Sequence, residues 1–199
     1  GVLAVHEIPA PNQDDLLEGP QESHSDGLGR NLAAGVTVIA EDTWSALKGR
    51  QLLQIKWKAG PWADDSTEAL KKRATEALKK KIKRVRSDGD VNRARKNAAK
   101  KIESSYFVPF LAHCTMEPMH ANIELRNDSA LLVTSIQVPD NASKVIHLLT
   151  GIKQSNIDIR LPRSGGGFGR RIGADYVAEA VYIAQAINKP VKLIWTRDD

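Results

Sequence analysis

Apolar and polar residues follow one another along this chain in blocks whose period changes several times. Residues 2–8 (VLAVHEI) make a short β-type run closed by Pro9 and Pro11, while residues 12–34 have the aperiodic polarity of a long loop. A second strand is expected at VTVIA after Gly35. A helix should follow, capped by Asp42 or Thr43 and ended by Gly49. In residues 51–58 (QLLQIKWK) Leu53, Ile55 and Trp57 fall on one face at period two, which predicts a strand stopped by Gly60-Pro61. From Ser66 to Arg86 the period becomes helical: Ser66 and Thr67 can cap, and Ala69, Leu70, Ala74, Ala77, Leu78, Ile82 and Val85 recur three and four apart. Ser87-Asp88-Gly89-Asp90 breaks this stretch, and a further helix is expected over 91–103.

The second half has a different texture. A strand is expected over 130–136, a helix over 143–150 with Gly151 as its C-cap, and a strand over 157–161 (IDIRL). A glycine loop covers 165–169. A helix over 174–187 follows, with Val177, Val181 and Ala184 on one stripe and Ala180, Ile183 and Ile187 on an adjoining one. Lys189-Pro190 ends it, and VKLIW is the last strand. The fold class is α+β. It divides into a strand–helix–strand unit over 1–60, a helical connector over 61–105 and a mixed region over 106–199.

Composition changes this picture in one place. The chain has 199 residues, 41% hydrophobic and 27% charged, with a net charge of +5, and that length can bury a sizeable core. The charge is local: residues 71–101 hold 14 Lys or Arg against Glu76, Asp88 and Asp90, whereas the rest carries 15 basic and 21 acidic side chains. A nucleic-acid partner is not expected, because no aromatic interleaves residues 71–101, Tyr106 lying just beyond them, and no binding motif accompanies the stretch. No apolar run approaches the roughly 18 residues that span a bilayer. Nor does a basic n-region precede the first apolar residues, so cytoplasm and periplasm both fit. A single cysteine, Cys114, excludes an internal disulfide.

Two segments carry candidate chemistry. In Ser164-Gly165-Gly166-Gly167-Phe168-Gly169-Arg170-Arg171, glycines allow positive φ and close approach of backbone to a ligand. Successive amides can form an anion-binding concavity, and the two arginines offer forked donors to phosphate. The segment matches neither the dinucleotide fingerprint, whose sixth position would be Arg170, nor a P-loop, which needs Lys-Ser/Thr after its last glycine. The second segment runs from Val108 to His120. His113, Glu117 and His120 have the spacing of three ligands on one helical face, but Pro118 opposes a regular helix there, so no metal site is assigned. Cys114 beside His113 is expected to be a buried structural cysteine, since adjacent residues do not face each other in a helix or strand.

Together these segments resemble a known family. Tyr106-x-Val108-Pro109-Phe110-x-Ala112-His113-x-x-Met116-Glu117-Pro118, followed by Gly165-Gly166-Gly167-Phe168-Gly169-Arg170-Arg171, is similar to the large, molybdopterin-binding subunit of molybdenum hydroxylases, the xanthine dehydrogenase/aldehyde oxidase family. The nearest branch looks like the β subunit of isoquinoline 1-oxidoreductases. Gly35-Val36-x-Val38-Ile39-Ala40, Trp44-x-Ala46-Leu47-Lys48-Gly49 and Ile55-Lys56-Trp57 resemble the family's α/β-hammerhead domain, placing it at 1–60 and the start of the molybdopterin-binding domain at 106–199.

The resemblance implies oxidative hydroxylation of an N-heterocycle or an aldehyde with oxygen from water, and electron transfer to an iron–sulfur partner subunit. It implies that Gly166, Gly167, Phe168, Gly169 and Arg170 bind the cofactor. It also implies that the 199 residues are part of a longer subunit, whose glutamate base lies beyond Asp199. The fragment alone is then expected to hold no cofactor and no catalytic residue. Ile172 stands where xanthine dehydrogenases have a glutamate, which disfavours a purine substrate. Two other functions compete: a non-catalytic binding module of the same fold, and a basic polyanion-binding protein.

Overall fold

The computed structural model describes residues 1–8, 32–60, 63–80, 83, 85, 86 and 88–199. Most of the loop expected over 12–34, and parts of the helix expected to reach Arg86, lie outside the described residues. The chain divides into two compact units, one formed by Gly1–Gln54 with Ala112–Asp199 and the other by Ile55–Leu111.

In the first unit, β1 (Val2–Ile8) pairs antiparallel with β2 (Gly35–Ala40), from Val2 opposite Ala40 to Ile8 opposite Gly35. Helix α1 (Thr43–Gln51) follows, capped by Asp42, whose carboxylate accepts the amide of Ser45 at 2.8 Å. The helix does not stop at Gly49. A Cβ on Gly49 would lie 2.7 Å from Val2 Cγ2 and 2.9 Å from Val38 Cγ1, so this glycine lets the helix approach the two strands. The strand expected over 51–58 does not form: α1 extends to Gln51, and residues 53–60 have no regular structure. In that segment Ile55 and Trp57 are exposed, so the period-two pattern finds no surface to cover.

The core lies in a four-stranded sheet, in the order β5 (Ile157–Arg160), β4 (Ala130–Val133), β3 (His120–Leu125), β6 (Val191–Ile194), and the two helices packed on it. Strands β3 and β4 are antiparallel. Strand β5 runs parallel to β4, and β6 runs antiparallel to β3. Strand β3 has no counterpart among the expected elements, and the other three are shorter than their apolar runs suggest. Alternation explains the buried set: Ala121 and Ile123 of β3, with Ala130 and Leu132 of β4, point into the core.

The parallel β4–β5 pair requires a crossover, which α4 (Pro139–Thr150) supplies. Pro139 opens α4 at a position where a missing N–H costs nothing, and Gly151 ends it at φ 75°. Helix α5 (Asp175–Ile187) buries Val177, Val181 and Ala184 together with Ala180 and Ile183, as its two stripes predict, and adds Tyr176. It ends at Asn188, which takes φ 50°. Burial of each large apolar side chain in this core contributes on the order of 1.5–3 kcal/mol.

The second unit holds α2 (Thr67–Ala77) and α3 (Val91–Asn97). Ser66 caps α2 by accepting the amide of Ala69 at 3.1 Å, and Asp90 caps α3 through Arg93. Both helices are shorter than the sequence pattern suggests, and neither buries a residue. Among the described residues nothing buries the apolar stripe of α2, so nothing propagates it further. Within this unit Lys71 lies 5.4 Å from the ring centre of Phe107. Residues 101–111 have no regular structure.

Candidate functional site

The glycine loop connects β5 to α5 through a single 3₁₀ turn, Arg170–Ile172, and it contains three residues in the left-handed region: Gly166 (φ 101°), Phe168 (φ 51°) and Gly169 (φ 94°). At Gly166 and Gly169 the absent Cβ makes this backbone accessible. At Phe168 the side chain makes it costly, on the order of 1–3 kcal/mol, and the surroundings must hold it there. Phe168 is 74% exposed, and its ring folds back over Gly166, where a Cβ would come within 3.1 Å of it. Gly167 keeps an ordinary φ, but a Cβ there would stand 2.5 Å from Gln137 Oε1.

Two side chains from elsewhere fix the ends of the loop. At its start, Glu117 Oε2 accepts the amide of Gly165 at 2.9 Å. At its end, Gln137 Oε1 accepts the amide of Gly169 at 3.0 Å. Between them, among the described residues, the amides of Gly166, Gly167 and Phe168 donate to no acceptor. Three consecutive amides beside glycines too crowded for a side chain fit a group rich in polar oxygens that approaches the backbone closely.

The two arginines do not serve as the free forked donors expected of them. Arg170 forms a two-bond pair with Asp175, at 2.9 and 2.6 Å, and stacks 5.2 Å from the Trp195 ring centre. Arg171 is completely buried. Its Nε donates to Gly166 O at 2.8 Å, its Nη1 to Ser135 O at 3.1 Å, and its Nη2 to Glu117 O at 2.6 Å and Glu117 Oε2 at 3.0 Å. A phosphate cannot reach it.

Glu117 therefore joins the two sequence motifs. Besides Gly165 and Arg171, it meets His120 through an Oε1–Nε2 contact of 2.8 Å. Burial raises its carboxyl, but the Gly165 amide, the charges of His120 and Arg171 and the His120 hydrogen bond outweigh this and hold it below the usual carboxylate range. The helical spacing of His113, Glu117 and His120 has no counterpart, because 101–115 lacks regular structure and His120 opens β3. Among the described residues no three His, Cys, Asp or Glu side chains are grouped to hold a metal ion. Cys114 is exposed at φ 46°, not buried; the chain turns there ahead of Thr115, whose hydroxyl donates to Glu117 O at 2.7 Å. Gln137 is a site residue that the sequence does not reveal. No local pattern marks it, since its partner lies 32 residues further on.

The molybdopterin cofactor-binding domain family matches residues 72–199, most of the chain and all of the glycine loop. The chain belongs to that family. It is similar to the isoquinoline 1-oxidoreductase beta subunit of Brevundimonas diminuta, at 30% identity over 188 residues, covering 85% of this chain and 23% of that protein. It is also similar to the xanthine dehydrogenase molybdenum-binding subunit of Escherichia coli O157:H7, at 26% identity over 170 residues, covering 81% of this chain and 22% of that protein. The chain thus spans less than a quarter of the length of these two relatives. Among solved structures, the quinoline 2-oxidoreductase of Pseudomonas putida 86 shares its mixed helix-and-sheet fold, with a TM-score of 0.62 at 22% identity over 83% of this chain and 23% of that one. No helix of the described residues is long and apolar enough to cross a membrane.

Proposed function

We propose that these residues form part of the molybdopterin-binding subunit of a molybdenum hydroxylase, which oxidatively hydroxylates an N-heterocycle or an aldehyde with oxygen from water. The observation that carries this reading is the run of free amides at Gly166, Gly167 and Phe168, held in shape inside a chain of the molybdopterin cofactor-binding family. Gly166, Gly167, Phe168 and Gly169 line the molybdenum end of the cofactor. Arg170, half-buried against Asp175 and Trp195, stiffens the exit of the loop. When bound, the cofactor supplies two-electron oxidation at the metal. The chain's residues present backbone donors to it and exclude side chains from its approach. No residue of this chain is assigned a catalytic role, and the proton acceptor belongs to the rest of the subunit.

The paired β1 and β2 with α1 packed behind them support an α/β-hammerhead unit within 1–60. The division into 1–60, a connector at 61–105 and a cofactor-binding part at 106–199 belongs to the same proposal, as does an iron–sulfur electron-transfer partner. The test is turnover by the native subunit isolated with its partner, using an N-heterocycle, an aldehyde and an artificial electron acceptor in isotopically labelled water. Label in a hydroxylated product supports the reading; no turnover of either substrate class contradicts it.

A further inference from the structure

We propose that Arg171 and Glu117 are positioning residues that hold the glycine loop in its final shape before any cofactor binds, an inference that rests on reading this loop as the cofactor cradle. The guanidinium of Arg171 is fully buried, yet it faces three separate pieces of chain: Gly166 O in the loop, Ser135 O just past β4, and the backbone carbonyl and carboxylate of Glu117 before β3. Its own carbonyl accepts the amide of Gln137 at 2.9 Å, and Gln137 in turn holds Gly169. Glu117 neutralises the buried charge and takes the Gly165 amide with the same oxygen. Glu117 N also donates to Gly165 O at 3.3 Å, so loop and motif are bonded in both directions.

This arrangement accounts for the strained backbone of Phe168. A phenylalanine at positive φ between two left-handed glycines persists only where its surroundings over-determine it. Here the bonds at Gly165, Gly166 and Gly169 fix the loop on both sides of Phe168. A planar fork with five donors can bridge three acceptor sites at once. A lysine ammonium, a compact point charge on a flexible stem, cannot reproduce that geometry. Preformed donors aimed at a ligand also bind it without the cost of ordering them at that moment.

The experiment is amide hydrogen exchange on the 199-residue chain without cofactor, read peptide by peptide, for wild type, Arg171→Lys and Glu117→Gln. The hydrogen-bonded amides of Gly165, Gly169 and Arg170 should exchange slowly in wild type. In Arg171→Lys they should exchange at least about tenfold faster, while the buried halves of α4 and α5 keep wild-type rates. Unchanged loop exchange, or a uniform rise over the whole unit, would overturn the proposal. Should Arg171→Lys fail to fold, Glu117→Gln decides on the same criteria with a smaller expected acceleration. Molybdenum content of the longer subunit is a separate readout. A wild type that binds none sinks the cradle reading, while loop exchange alone judges the clamp.

Discussion

Glu117 and Gly165 stand 48 residues apart and are bonded both ways, the Gly165 amide to the Glu117 carboxylate at 2.9 Å and the Glu117 amide to the Gly165 carbonyl at 3.3 Å. Their contact is so close that a Cβ on Gly165 would lie 2.3 Å from Glu117 Cβ and 2.9 Å from its backbone nitrogen. Neither atom sits at the end of a flexible side chain. Gly165→Ala should therefore destabilise the chain by about 1–3 kcal/mol, as overpacked sites do. Gly169→Ala meets nothing within 4 Å and bears only the strain of φ 94°, on the order of 1–2 kcal/mol. Denaturant unfolding of both variants checks the order; Gly165→Ala as stable as wild type would contradict the contact.

Glu117 gives the loop an acid limit. Its folded carboxyl titrates below the ordinary value of 4.5, so its contribution is present above that value and lost as pH falls through the folded one. Glu117→Gln should be less stable than wild type at pH 7, and the gap should narrow as pH drops below about 4.5. Melting curves across pH 3–7 test this, and a gap that stays constant would rule out the linkage.

Glu179 acts in the opposite sense. Burial pushes its carboxyl up to about 7, the charges of Asp175 and Asp199 add to this, and the hydrogen bond from Trp195 Nε1 at 2.7 Å and the charge of Arg170 pull it back. Its folded value lies above 4.5, so the folded chain holds the extra proton between those values. The stability that this proton confers is full below about 4.5 and lost as pH rises through about 7. Glu179→Gln keeps an acceptor for Trp195 without the charge. It should be more stable than wild type at pH 8, on the order of 1–3 kcal/mol, and close to it at pH 4.5. A lower melting temperature at pH 8 would show that the ionised carboxylate is held by more than these neighbours.

How much of this is legible in the sequence depends on how local each feature is. Ser66 capping α2, Gly151 ending α4 and the two stripes of α5 follow from residues within a few positions of one another, and all are present. The strand expected over 51–58 rests on a true alternation of Leu53, Ile55 and Trp57, but among the described residues no strand pairs with it. Gly49 reads as a helix stop because glycine usually weakens helices. Its reason is tertiary, the close approach of Val2 and Val38. The same distinction divides the site. The left-handed glycines of 165–169 are expected from composition, whereas the burial of Arg171 and the roles of Glu117 and Gln137 arise from contacts 32 to 54 residues apart that no spacing rule encodes.

The basic stretch should bind DNA only through nonspecific phosphate contacts. Lys71, Lys72 and Arg73 lie on α2 and Arg93, Arg95 and Lys96 on α3, neither helix buries a residue, and no aromatic residue interleaves them within α2 or α3. Any affinity should fall steeply with salt and be lost near about 0.2 M, independent of sequence. A titration that finds a sequence-dependent complex surviving that salt would overturn this expectation.

That residues 166–169 cradle a molybdenum cofactor is tested most directly through metal analysis of three proteins from one cofactor-competent host: the longer native subunit, the same subunit carrying Gly167→Val, and the 199-residue chain. A valine side chain at position 167 would collide with Gln137, whose Oε1 holds the Gly169 amide, and so deform the cradle. On this account the rest of the subunit supplies the walls that normally bury 70–90% of a bound small molecule. Roughly one molybdenum is expected per wild-type subunit, and less than about a tenth of that in the folded Gly167→Val subunit, since a built pocket gives most of the affinity. None is expected in the short chain. Wild-type metal content in Gly167→Val, or a native subunit without molybdenum, would contradict the cradle.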